Sequence, residues 1–162
     1  MGEGHPRIPA ELVPFVTSGV SILVGTSDEH ARPHATRAVG VRVHEARDAL
    51  TVFLADAPAA RAIANLRATG RIALTFTRPV DHRSIQVKGA VTGMRAATDE
   101  ERAIVTAHLS AWGEHVELVG LPRALAARVT DWPATAIDVR LEAIFNRTPG
   151  PSAGERLASP SS

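Results

Sequence analysis

Apolar and polar residues alternate with a period of two in run after run of this chain, and short polar stretches separate the runs. Val20, Ile22 and Val24 alternate with Ser21, Leu23 and Gly25. Ile72, Leu74 and Phe76 repeat the pattern over 71–77, Ile85, Val87 and Val91 over 83–94, and Ile137, Val139, Leu141, Ala143 and Phe145 over 134–145. Successive side chains of a strand point to opposite faces, so such alternation specifies strands with one buried face. The polar stretches at 26–33, 44–48 and 78–82 are too short for crossover helices, which makes the pairing antiparallel. Residues 34–43 and 50–55 complete a set of six predicted strands.

Helical signals punctuate this pattern. A short helix starts near Pro9, with Leu12, Val13 and Val16 inward. Asp56 can cap a second helix to about Thr69, with Pro58 in its first turn and Gly70 past its end. Thr98-Asp99-Glu100-Glu101 is a capping box, followed by the apolar stripe Val105, Leu109, Trp112, Val116 and Val119. A further turn or two spans Arg123–Val129 before Asp131-Trp132-Pro133. The order is helix, three strands, helix, two strands, long helix, strand. It predicts a mainly β, α+β fold in which six antiparallel strands close into a small barrel with flanking helices. Residues 1–146 form the domain and 147–162 a tail rich in Pro, Gly and Ser.

Several function classes are disfavoured. The chain has 162 residues and no cysteine, so disulfides, thiolate metal sites and cysteine nucleophiles are excluded. The formal net charge is +1, there is no tyrosine, and aromatic residues are 4%, which argues against nucleic-acid binding. No apolar run approaches the roughly 20 residues of a membrane span. Residues 1–6 carry no apolar signal core, so a cytoplasmic location is expected. The seven histidines show no metal-ligand spacing. Gly-x-Gly-x-x-Gly, the Walker loop and Gly-x-Ser-x-Gly are all missing.

Three features carry candidate chemistry. Arg37, Arg42 and Arg61 supply the convergent cations that a phosphomonoester needs, with a helix start beside Arg61; surface ion pairing is the competing reading. Period-two counting sets Arg37 and Arg42 on opposite faces, and a bulge or bend between them would reconcile the two. Thr36, Ala38 and Gly40 form a small face on which a flat ring could lie, or against which a helix could pack. Ser84, Gln86 and Lys88 form a polar stripe suited to the pyrimidine edge of a flavin, or simply to solvent.

Together, Pro33-His34-Ala35-Thr36-Arg37-Ala38-Val39-Gly40-Val41-Arg42, Thr51-Val52-Phe53-Leu54-Ala55-Asp56 with Ala60-Arg61-Ala62, and Arg83-Ser84-Ile85-Gln86-Val87-Lys88-Gly89 resemble the pyridoxamine 5′-phosphate oxidase-like flavoproteins. The resemblance covers roughly residues 10–146. It implies a split β-barrel that binds FMN between the subunits of a homodimer. Arg37, Arg42 and Arg61 would hold the phosphate. Ala38, Val39, Phe53, Leu54 and Ala55, with Ser84 and Gln86, would hold the ring. It also implies an oxidoreductase acting on a small-molecule substrate or electron donor that the residues do not name. The helix start reads Ala59-Ala60-Arg61 rather than a Ser-Arg-Lys-type run, and the last strand, Asp138-Val139-Arg140-Leu141-Glu142-Ala143, does not match the family's Arg-containing segment that holds pyridoxal phosphate, which argues against vitamin B6 oxidation. A haem- or deazaflavin-binding split barrel is the alternative.

Overall fold

A computed structural model describes residues 4–158. After a 3-10 turn at Ala10–Leu12 come α1 (Val13–Val16), β1 (Ser21–Ser27), β2 (Pro33–Arg37), β3 (Gly40–Val43) and β4 (Ala49–Ala55). Next are α2 (Ala60–Thr69), β5 (Arg71–Thr77), β6 (Ser84–Ala96), α3 (Asp99–Leu118), a 3-10 segment at Arg123–Arg128 and β7 (Ala134–Asn146). The strands form one antiparallel sheet in the order β2-β1-β5-β6-β7-β4-β3. It curls into a split barrel, as the sequence predicts.

The strand count is a correction: the described residues contain seven strands rather than six. The stretch 34–43 is broken at Ala38 and Val39. The Ala38 N–H donates to the Ile22 carbonyl of β1 at 3.0 Å, whereas the next N–H, of Val39, donates to the Phe53 carbonyl of β4 at 2.9 Å. The chain leaves one edge of the sheet and joins the other, so β2 and β3 have different partners. The apolar Ala38-Val39 pair gives no turn signal, which is why the break is invisible to period counting.

The alternation seen in sequence sets the core. Ile22, Val24, Leu50, Val52, Leu54, Ile72, Leu74, Phe76, Val87, Ile137, Val139 and Leu141 are buried in one cluster inside the barrel. Each such side chain contributes about 1.5–3 kcal/mol by leaving water. A second cluster lies outside, where α3 covers β3, β4 and β7: Val39, Phe53, Ala55 and Ala136 meet Val105 and Leu109. Both faces of β4 are therefore covered, and six of its seven residues are buried.

The capping box closes the start of α3 in both directions: the Thr98 hydroxyl accepts from the Glu101 N–H at 3.2 Å, and the Glu101 carboxylate accepts from the Thr98 N–H at 2.9 Å. At its other end α3 is clamped to the segment before β1. His108 and His115 ring nitrogens lie 3.0 Å from the carbonyls of Val20 and Ser18, and the Trp112 indole N–H donates to the Ser21 hydroxyl at 3.0 Å.

The tail folds back along β7 as far as it is described. Asn146 N–H donates to the Glu155 carbonyl at 2.8 Å and Leu157 N–H to the Ile144 carbonyl at 2.9 Å. Residues 159–162 of the predicted tail lie outside the described residues.

Gly19 has φ +82°, and a Cβ there would sit 2.7 Å from the Ala111 carbonyl carbon and the Trp112 nitrogen. Gly19→Ala is expected to cost about 3 kcal/mol, from overpacking and left-handed strain together, read as a lower urea midpoint. An unchanged midpoint would mean that α3 does not press on this segment.

Candidate functional site

The outer face of β2, β1, β5 and β6 is the broad sheet surface that α3 leaves uncovered. The strand register fixes what it carries. Arg37 pairs with Leu23, Leu23 with Thr75, Thr75 with Gln86, and Gln86 with Phe145 of β7, so these residues form one row. At about 4.8 Å per strand, the Arg37 and Gln86 backbones are about 14 Å apart. A second row runs Ser21, Thr77, Ser84. A third runs Ala35, Gly25, Ala73, Lys88. Three of the predicted site residues, Arg37, Ser84 and Gln86, thus share one platform. Leu23 stands in its middle and is 54% exposed.

Arg37 lies against α3 at one end of this platform. Its guanidinium carbon is 4.7 Å from the Trp112 ring centroid, and it donates to the Ser21 hydroxyl at 3.2 Å. Among the described residues it has no carboxylate partner, and burial lowers its pKa from the usual arginine value. Ser84 and Gln86 are tied into the sheet. The Ser84 and Thr77 hydroxyls are 2.8 Å apart. The Gln86 amide donates to the Thr75 hydroxyl at 3.3 Å and accepts twice from Arg147, at 3.2 and 2.9 Å. One amide N–H of Gln86 remains for a ligand.

The other predicted residues lie elsewhere. Arg42 faces α3 from β3, with its guanidinium 3.2 Å from Glu101. Arg95 grips the same carboxylate with two hydrogen bonds of 2.7 Å. This grip, chiefly, holds the Glu101 carboxyl down at about 2. Arg37 and Arg42 therefore both point outward from the barrel, because the break between β2 and β3 offsets their odd and even positions. They meet α3 at Trp112 and Glu101, eleven residues and about 16 Å apart. Ala38, Val39, Phe53, Leu54 and Ala55 are buried, Phe53 and Ala55 beneath α3 and Leu54 inside the barrel. A Cβ on Gly40 would lie 3.4 Å from the Val105 Cα, so Gly40 packs against α3, while Ala38 belongs to the inner cluster: the break splits the predicted small face. Arg61 is exposed in the first turn of α2.

Sequence reasoning did not identify Trp112 and Ser21 as partners of Arg37, or the row of small residues in front of Lys88. That row floors a depression of about 650 Å³. Its residues are scattered over four strands, and only the pairing register aligns them. The described residues contain no group of His, Asp or Glu arranged to hold a metal.

The family model described as pyridoxamine 5′-phosphate oxidase matches residues 8–147. The chain belongs to this family. Solved structures share the split barrel at low identity. HupZ of Group A Streptococcus superposes with a TM-score of 0.57 at 17% identity, over 91% of this chain and 99% of that one. An F420 reductase gives 0.55 at 13%, over 85% and 98%. An FMN-binding protein from Syntrophomonas wolfei gives 0.51 at 14%, over 83% and 85%. No curated protein matches in sequence.

The Glu101 carboxyl is held below its unfolded value, so its stabilising contribution is complete above about pH 4.5 and declines as pH falls toward about 2. Glu101→Gln is expected to lose about 2 kcal/mol at pH 7 and much less at pH 3, read from urea unfolding at both values. An equal loss at both would mean that the charge contributes nothing.

Proposed function

We propose that this protein is an FMN-binding flavoprotein, an oxidoreductase acting on a small molecule as a homodimer, with the cofactor laid across the platform. The observation that carries this reading is Arg37: a guanidinium on the exposed sheet face, stacked on Trp112 and bonded to Ser21, with no carboxylate among the described residues to offset its charge. A cation held on an aromatic face without a counter-ion favours an incoming anion, and an arginine fork suits phosphate oxygens. The ring side is consistent. Thr75 and Gln86 present hydroxyl and amide groups on a rigid sheet, Ser84 is buried beside them and bonded to Thr77 and His82, and Leu23 offers an apolar contact. Family membership adds support, as does an FMN-binding protein among its structural relatives.

The residues fit such a ligand unevenly. A single phosphate cannot engage both Arg37 and Arg42 of one protomer across about 16 Å of helix. We assign the anchor to Arg37 and leave Arg42 with Glu101. Arg61, in no hydrogen bond or ion pair among the described residues, is free to add a second cation. The buried Ala38, Val39, Phe53, Leu54 and Ala55 act by fixing the backbone behind the site rather than by touching the ring. Bound there, the flavin would supply hydride or single-electron transfer, while the chain holds and orients it.

A deazaflavin is the second reading, favoured by the F420 reductase among the structural relatives. A haem would require an axial ligand, and His34 is the histidine that lines the depression.

The visible spectrum of the purified protein and identification of the released chromophore test these readings, and light scattering tests the dimer. FMN is the expected chromophore. Arg37→Gln is expected to weaken FMN binding about 30-fold, the equivalent of roughly 2 kcal/mol for one lost charge-assisted contact. Unchanged affinity would remove Arg37 as the anchor, and release of deazaflavin or haem would replace FMN.

A further inference from the structure

We infer that the β7 end of the platform is a second ligand site, built for a small molecule with a flat body and a multiply charged anionic end, of nucleoside-diphosphate chemistry. Three cations from three segments converge there on one ring. The Lys88 ammonium of β6 is 5.5 Å from the Phe145 centroid, the Arg147 guanidinium just past β7 is 5.5 Å away, and the Arg156 guanidinium of the returning tail is 5.7 Å away.

The fold spends structure on holding them. The Arg147 side chain is fixed by two hydrogen bonds to the Gln86 amide oxygen, and its N–H donates to the Ser84 carbonyl at 2.8 Å. Arg156 is brought in by a backbone bridge to Phe145 itself. A phenyl ring has two faces, so cation–π contact accounts for at most two of the three cations. None of them forms an ion pair among the described residues, whereas Arg32, Arg42, Arg78, Arg95 and Arg123 all do. Convergent, unneutralised cations held against their mutual repulsion make an anion site, and three call for more than one negative charge.

The second half of the site begins at Lys88. Lys88 also lines the 650 Å³ depression, a volume in the usual range of about 300–1,000 Å³ for small-molecule sites. Ala35, Gly25 and Ala73 lie in register with it across three strands, so the floor is flat and nearly free of side chains. That is the shape a planar heterocycle needs. His34 and Glu142 stand on the rim as hydrogen-bonding groups for its edge. The site uses none of the contacts of Arg37, though Arg147 is held by Gln86, a residue of the proposed ring side.

The test is titration calorimetry of the full chain with ADP, pyrophosphate and adenosine. ADP is expected to bind once per chain, more weakly as salt rises, and about tenfold more tightly than pyrophosphate. Arg147→Gln with Arg156→Gln, and separately Lys88→Gln, should each weaken ADP at least about tenfold with the circular dichroism and melting point unchanged. Ala73→Phe, which fills the floor, should weaken ADP but leave pyrophosphate as it was. Arg37→Gln should leave ADP binding unchanged. No ADP binding, or ADP binding indifferent to the cation variants, would overturn the site; equal affinity for ADP and pyrophosphate would overturn its flat half. FMN binding that is lost in the Arg147/Arg156 variant yet kept in Arg37→Gln would overturn it as a second site and move the flavin there.

Discussion

The backbone ladder between β6 and β7 is the interaction on which the rest depends. In the strand order β2-β1-β5-β6-β7-β4-β3 it is the pairing that joins the two halves of the sheet. It runs from Ile85 opposite Asn146 to Ala96 opposite Thr135. Register shifts at Lys88/Gly89 and Val91/Gly93 let so long a pair bend. The far edges of the sheet are joined by the chain itself, at Ala38 and Val39. The barrel is thus closed by hydrogen bonds on one side and covalently on the other.

That closure gives the two halves different surroundings. α3 leaves from the end of β6 and lies over β3, β4 and β7, where it buries Phe53 and Ala55 and pairs Arg42 with Glu101. The other half keeps its outer face open. The uncovered outer face therefore lies on β2, β1, β5 and β6, with the C-terminal half of α3 and the returning tail as its two margins. Arg37 on Trp112 marks one margin, and the cations around Phe145 mark the other.

The arginines show how a tertiary setting sorts one residue type into different roles. Arg95 and Arg42 share a buried carboxylate, and their charge contributes to holding α3. Arg37 gains an aromatic face and a hydroxyl but no counter-charge. Arg147, bonded to Gln86, and Arg156 stand with Lys88 around Phe145 without a counter-charge. A charge already paired has little left for a ligand, and an unpaired one that is held rigidly loses little freedom on binding.

The sequence by itself determined the strands, the capped α3, the antiparallel pairing and the barrel, because side-chain periodicity and capping are local properties of the chain. It also singled out Arg37 and Gln86, which the fold sets in one row of the uncovered sheet face, and Ser84, which is buried beside them. It could not separate Arg37 from Arg42, since Ala38-Val39 continues the apolar alternation while its two N–H groups turn to different strands. Nor could it say that Phe53 and Gly40 face a helix rather than a ligand. Only the tertiary structure decided which face α3 would cover, and which residues of distant strands would stand in one row. The small floor of Ala35, Gly25 and Ala73 and the cations around Phe145 exist only in that register: long-range pairing brings together residues that carry no shared signal along the chain.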